Sequence, residues 1–103
     1  MVYKLVITQS FQTDLSNILQ YISYKLSNPA AAKRLLDNTE KRLSLIESNP
    51  FLHPLHHDEK LAQKGYHYDI VEKYLLFYTI DETTKTVYIA RFLYGGQNIS
   101  NIV

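Results

Sequence analysis

The apolar positions change period along the chain, and each change marks an element. Residues 2–8, VYKLVIT, set Val2, Lys4 and Val6 against Tyr3, Leu5 and Ile7, the two-residue alternation of a strand with one face more apolar than the other. From Ser10 the period lengthens: Phe11, Leu15, Ile18, Leu19, Ile22 and Leu26 recur at three- and four-residue steps, with Thr8 or Ser10 available as a cap. That is an amphipathic helix to about Leu26. Asn28 followed by Pro29 restarts a helix, because Asn caps the free N–H groups and Pro is pre-set for the first helical position. So short a connection predicts an antiparallel helical hairpin. The second helix runs through AAAKRLLDNTEKRLSLIES with Ala32, Leu35, Leu36, Thr39, Leu43 and Ile46 inward, and stops at Asn49 and Pro50. Lys33, Asp37 and Lys41 alternate in sign at four-residue steps on its outer face, a solvated charge pattern.

Residues 50–65 hold Pro50, Pro54, Gly65 and three histidines without a consistent period. They read as a loop with at most a short helical turn, packed by Phe51, Leu55 and Leu61. Three strands follow, 66–71, 74–80 and 86–93, the last two joined by a turn over Asp81, Glu82 and Thr83. Both faces of those last two strands are apolar or aromatic, which places them centrally, with helices on one face and a second covering or a partner on the other. The tail from Gly95 to Val103 frays unless its apolar end docks. The expected fold is α+β: an N-terminal strand, an antiparallel two-helix hairpin, then a three-strand antiparallel meander, closed as one sheet with the helices packed on one face.

The 103 residues fit one domain spanning 1–103. The balance of 46% hydrophobic and 20% charged residues is that of a folded soluble chain. There is no cysteine, which excludes disulfides and thiolate metal sites and suits a reducing cytoplasm. The opening residues carry Lys4 inside a short alternating run, too brief for a signal core or a membrane span, so the expectation is a cytoplasmic protein away from membranes. A formal charge of +1 creates no broad field for nucleic acid. From Tyr66 to Tyr94 the cations Lys73, Lys85 and Arg91 are outnumbered by Asp69, Glu72, Asp81 and Glu82.

The helical restart at Asn28 and Pro29, the segment NPFLHPL, and above all KYLLFYTID followed by VYIARFLYGGQN resemble the RelE/ParE superfamily of toxins from bacterial type II toxin-antitoxin modules, also known for plasmid stabilisation. The resemblance covers nearly the whole chain. It implies a growth-inhibiting toxin silenced by a cognate antitoxin that wraps it. Members similar to RelE cut messenger RNA in the ribosome with basic side chains on the sheet and a tyrosine or histidine near the chain end, whereas members similar to ParE act on DNA gyrase and lack that set. Arg91 matches a recurrent arginine of the last strand, and Tyr94 falls where relatives place histidine or tyrosine. Leu75, His67, Asp69, Gly96 and Gln97 stand where RelE-like nucleases or many relatives carry basic residues. Those departures favour gyrase over mRNA as the target, with a non-toxic, antitoxin-binding homologue as a further alternative.

Cleaving RNA through its own 2′-hydroxyl needs a general base, a general acid and positive charge on the phosphorane. His67 and Asp69, two apart on a strand, share a face; with Arg91 and Tyr94 they form the candidate catalytic set. The competing expectation is a surface pair for His67 and Asp69 and a carboxylate anchor for Arg91. His53, His56, His57 and Asp58 suit a metal by chemistry but lack the spacing of a helix-borne site, so a solvated loop is expected, with no metal and no cofactor. Six of the nine tyrosines lie between Gly65 and Asn98. Some fill the core; Tyr66, Tyr68, Tyr78 and Tyr88, with Phe92, are the candidates for an antitoxin-binding surface, although a one-residue register error would exchange the faces.

Overall fold

The computed structural model describes residues 3–96. Its elements are β1 (Lys4–Ile7), α1 (Gln9–Gln20), a π-helical turn (Tyr21–Lys25), α2 (Pro29–Ser48), a 3-10 turn (Pro50–Leu52), α3 (Glu59–Gln63), β2 (His67–Val71), β3 (Tyr74–Asp81) and β4 (Thr86–Tyr94). The caps follow the local chemistry. Thr8 Oγ1 accepts from the Phe11 N–H at 3.2 Å and itself donates to the Ile89 carbonyl at 2.7 Å, so one hydroxyl both starts α1 and ties it to β4. Asn28 caps α2 through the Ala31 N–H, with Pro29 in the first turn. The tail beyond Gly96, including Gln97, lies outside the described residues.

The sheet order is β1-β4-β3-β2, with β1 parallel to β4 and the other pairs antiparallel. The two strands that are apolar on both faces are therefore the central ones. On one face α1, the π-turn and α2 pack Phe11, Ile22, Ala32, Leu35 and Ile46 against Val71, Leu76, Tyr78, Val87, Ile89 and Phe92. A smaller cluster of Leu61, Phe77 and Leu93, with Tyr66, Tyr68 and Leu75 packed on it, forms on the opposite face.

The second cluster exists because residues 50–65 do more than loop. After the 3-10 turn they run along the outer edge of β2, where His56 N–H donates to the Tyr66 carbonyl at 2.8 Å and Tyr68 N–H to the Pro54 carbonyl at 3.3 Å. They then cross to the far face, where α3 buries Leu61 completely. This strap supplies the second covering that the two-sided strands require. Of the three side chains expected to seat it, Leu61 is fully buried and Phe51, though 52% exposed, meets the Tyr3 and His67 rings edge-on; Leu55 is 46% exposed, and Pro50 and His56 are buried besides.

A bulge sets the faces of β4. Between Phe77 and Tyr78 the register partner jumps from Arg91 to Ile89, leaving Ala90 without a partner. Val87 and Ile89 before it and Phe92 after it then all face the helices, while Arg91 and Leu93 turn to the strap side. Uninterrupted alternation would have grouped Phe92 with exposed Tyr88.

Tyr78 is fully buried, and its hydroxyl donates to the Pro50 carbonyl at 2.8 Å. That bond fixes the start of the strap to the centre of the sheet. Tyr78→Phe leaves a buried carbonyl without its donor and is expected to lower unfolding stability by about 1–2 kcal/mol, read as a lower urea midpoint at constant slope. Tyr88→Phe, on an exposed ring, is expected to leave the midpoint unchanged.

Candidate functional site

Arg91 stands on β4 opposite Phe77, on the strap side of the sheet. Its guanidinium grips Asp14 of α1 in a two-point pair: Nε to Oδ2 at 2.7 Å and Nη2 to Oδ1 at 3.1 Å. The geometry has a simple origin. β1 stops at Ile7, opposite Ile89, so the next N–H groups along the β4 edge have no strand beside them. Asp14 fills that gap, accepting the Phe92 N–H at 3.0 Å as well as the guanidinium. The hydrogen bond to Asp14 raises the Arg91 pKa, against the opposing effect of burial. Of the two expectations for Arg91, the geometry matches a carboxylate anchor.

His67 and Asp69 do share a face of β2, the one under the helices, but they are not each other's partner. The His67 ring stacks on Tyr78 with centroids 5.3 Å apart, and its Nδ1 is hydrogen-bonded to the His53 carbonyl at 2.8 Å. Asp69 is buried at 5% exposure. One of its oxygens accepts the Ile70 N–H at 2.7 Å; the other lies 3.3 Å from His53 Nε2 and 3.6 Å from Arg42 Nε. Asp69 thus joins β2, α2 and the strap at one carboxylate, and is no surface residue.

Tyr94 is half exposed and meets Tyr74 edge-on, with centroids 6.2 Å apart. Between this end of the sheet and the π-turn runs an open groove of about 470 Å³ lined by Asn17, Ile18, Tyr21, Leu26, Tyr74 and Tyr94, with Lys73 at its rim. Of these, Tyr21 and Leu26 are more than half exposed. Burial raises the Tyr74 pKa, and the nearby Glu72, Tyr21 and Tyr94 add to the shift. Burial, with Asp69's charge adding to it, pushes Tyr78 up to about 12. Neither phenol is therefore set up as a neutral-pH base. A Cβ on Gly96 would fall 2.5 Å from Tyr94 Cε2, so a side chain there forces the ring to move.

The four candidate catalytic side chains do not converge. His67 and Asp69 face the helices from β2, Arg91 faces the strap from β4 two strands away, and Tyr94 sits at the end of the sheet beside Tyr74. Two strand spacings are roughly 9–10 Å, with the sheet itself intervening. Among the described residues no group of three or more His, Cys, Asp or Glu is arranged to hold a metal.

Two of the five candidate antitoxin contacts are corrected by burial: Tyr78 and Phe92 are both 0% exposed, because the β4 bulge and the register with β3 turn them into the helix-facing core. Tyr66 and Tyr68 are half-buried under the strap, and Tyr88 is exposed. The residues that pattern reading passes over are Asp14, Arg42 and Tyr21, while His53 enters it only as a metal candidate and Leu26 only as part of the helical stripe. Asp14 left one readable trace: it lies three residues after Phe11 and four before Ile18, a charge at the margin of an apolar stripe.

A family model described as the ParE toxin of the type II toxin-antitoxin system, parDE, matches residues 5–99. The fold is similar to a chain of the chromosomal ParDE toxin-antitoxin system from P. aeruginosa, with a TM-score of 0.72 over 90% of this chain and 96% of that one, at 15% identity. It is also similar to a chain of the RelBE2 toxin-antitoxin complex from Mycobacterium tuberculosis, with a TM-score of 0.55 over 91% and 99%, at 19% identity. At such identities the likeness is one of fold. No curated protein matches in sequence. No helix among the described residues is long and apolar enough to cross a membrane. The family model covers nearly the whole chain, and the chain belongs to the ParE toxin family of type II toxin-antitoxin systems.

Proposed function

We propose that this toxin arrests bacterial growth in the cytoplasm by binding DNA gyrase, without bond-breaking chemistry of its own, and that a cognate antitoxin neutralises it. The observation that carries this reading is the dispersal of the candidate catalytic groups, with Arg91 held by Asp14 rather than presented to a phosphate. Phosphodiester cleavage requires acid, base and cation around one phosphorus. Leu75 and the near-neutral charge support the same reading, since RNA affinity rests on cations facing the backbone. With antitoxin absent, purified toxin is expected to inhibit gyrase supercoiling and to leave ribosome-bound mRNA intact. Site-specific mRNA cleavage would instead establish the RelE-like reading. Both assays blank, in cells that tolerate expression, would establish an antitoxin-binding homologue without toxicity, the reading that Gly96 and Gln97 favour.

The antitoxin's apolar side chains fit the groove between the π-turn and the end of β4. It is an apolar concavity edged by exposed rings, the form in which a few aromatic anchors carry most of an interface's energy. Tyr88, Tyr66 and Tyr68 belong to the other face, so one antitoxin reaches both surfaces only by wrapping the sheet. Leu26→Asp, at a side chain 56% exposed, is expected to weaken antitoxin binding at least about tenfold with no change in melting temperature. Calorimetric titration checks it, and Tyr88→Ala tests the second surface in the same way.

Arg91 and Tyr94 remain the functional candidates, and they differ as probes. Arg91→Met leaves the Asp14 charge without its guanidinium, so it is expected to lower stability as well as toxicity. Tyr94→Ala removes a half-exposed ring from the groove wall and is expected to reduce growth arrest and to weaken antitoxin binding while the melting temperature holds. Undiminished arrest by Tyr94→Ala would remove Tyr94 from the site.

A further inference from the structure

The strap covers the second face of the sheet through a short chain of dependence that begins at one imidazole. His56 is 5% exposed, with its ring against His57 at 4.2 Å, Tyr68 at 4.8 Å and Phe77 at 5.6 Å. Its Nδ1 accepts the Asp58 N–H at 2.9 Å, which fixes the neutral tautomer with the proton on Nε2. Asp58, held in this way, caps α3 through the Lys60 and Leu61 N–H groups. α3 in turn seats Leu61 against Phe77 and Leu93.

We propose that the far part of the strap, residues 56–65, is an acid-released cover: a proton on His56 Nδ1 unseats Asp58 and α3 and uncovers the sheet face of Tyr66, Tyr68, Phe77 and Leu93. The proton does two things at once. It converts the acceptor into a donor facing the Asp58 N–H, so that two donors oppose each other, and it creates a charge on a ring that is 5% exposed and poorly solvated. The groups facing His56 are few. His57 and Asp58 come from the strap itself, His57 opposing the charge and Asp58 favouring it. Tyr66, just before β2, accepts the His56 N–H at its carbonyl, and β2 contributes Tyr68. β3 contributes uncharged Phe77, and Arg91 of β4 lies on the same face opposite Phe77.

Burial, then His57, lowers the His56 pKa below its ordinary value of 6.5, with Asp58 opposing. The folded strap therefore binds fewer protons than the released one. Its contribution to stability is complete above the pKa of an unfolded histidine, about 6.5, and is lost as pH falls through the lowered folded value. The other buried polar junction, Asp69 with His53 and Arg42, holds the strap's beginning to β2 and α2, so release is confined to the part that crosses to the far face.

Amide hydrogen exchange read by mass spectrometry on the whole protein, corrected for the intrinsic pH dependence of exchange, tests this between pH 7.5 and 5.5. The opening constant of peptides covering 56–65 is expected to rise at least about threefold while peptides of α2 and β3 stay protected. His56→Asn keeps an acceptor near the Nδ1 position without the titration, and its strap is expected to show no such rise. A wild-type strap indifferent to pH, a rise shared equally by α2 and β3, or an unchanged rise in His56→Asn would each overturn the proposal. Should His56→Asn leave the strap open at every pH, His57→Asn decides. Removing the neighbour that lowers the His56 pKa narrows the gap between folded and released strap, so the rise in strap opening between pH 7.5 and 5.5 is expected to shrink, and a rise that does not shrink overturns the proposal.

Discussion

Burial of β3 and β4 on both faces is the constraint from which the rest of this structure follows. Leu76 and Tyr78 must be covered on one side, Phe77 and Leu93 on the other, and no single helical layer can do both. The α1-α2 hairpin covers the first face. The second is covered by the segment between α2 and β2, which is too short for a long helix and instead wraps the β2 edge before seating five helical residues. The Ala90 bulge belongs to the same solution, because it keeps Phe92 in the larger core and turns Arg91 outward.

The two sheet edges are closed by one device used twice. Where β1 ends, Asp14 accepts the Phe92 N–H and is held by Arg91; beyond the strap's contact with β2, Asp69 accepts the Ile70 N–H and lies against His53 and Arg42. Each carboxylate satisfies an edge donor that would otherwise invite a foreign strand. The consequence reaches function: two of the three arginines in the chain are engaged in closing the sheet.

The order of elements, the two caps, the central position of β3 and β4, and the need for a second covering were legible, because period and cap chemistry are local properties of the chain. What was not legible depends on register. No local signal in VYIARFLY marks Ala90 as the bulged residue, so the face of Phe92 could not be read, and with it the burial of Tyr78 and Phe92. His67 and Asp69 were correctly placed on one face, yet their partners, the His53 backbone and the His53 and Arg42 side chains, come from 14 to 27 residues earlier in the chain. Arg91's partner is 77 residues away, and spacing carries no trace of such a pair beyond a charge beside the apolar stripe of α1.

The central claim is that this ParE-family protein acts by occupation and not by turnover, a difference that stoichiometry reveals. Increasing amounts of purified toxin titrated into a fixed, known concentration of gyrase, with supercoiling as the readout, measure it directly. The account predicts inhibition that grows in proportion to bound toxin, reaches its limit only when toxin matches gyrase, and is reversed by antitoxin. Gyrase unaffected at excess toxin, with ribosome-bound mRNA cut at toxin concentrations far below that of the ribosomes, would contradict it.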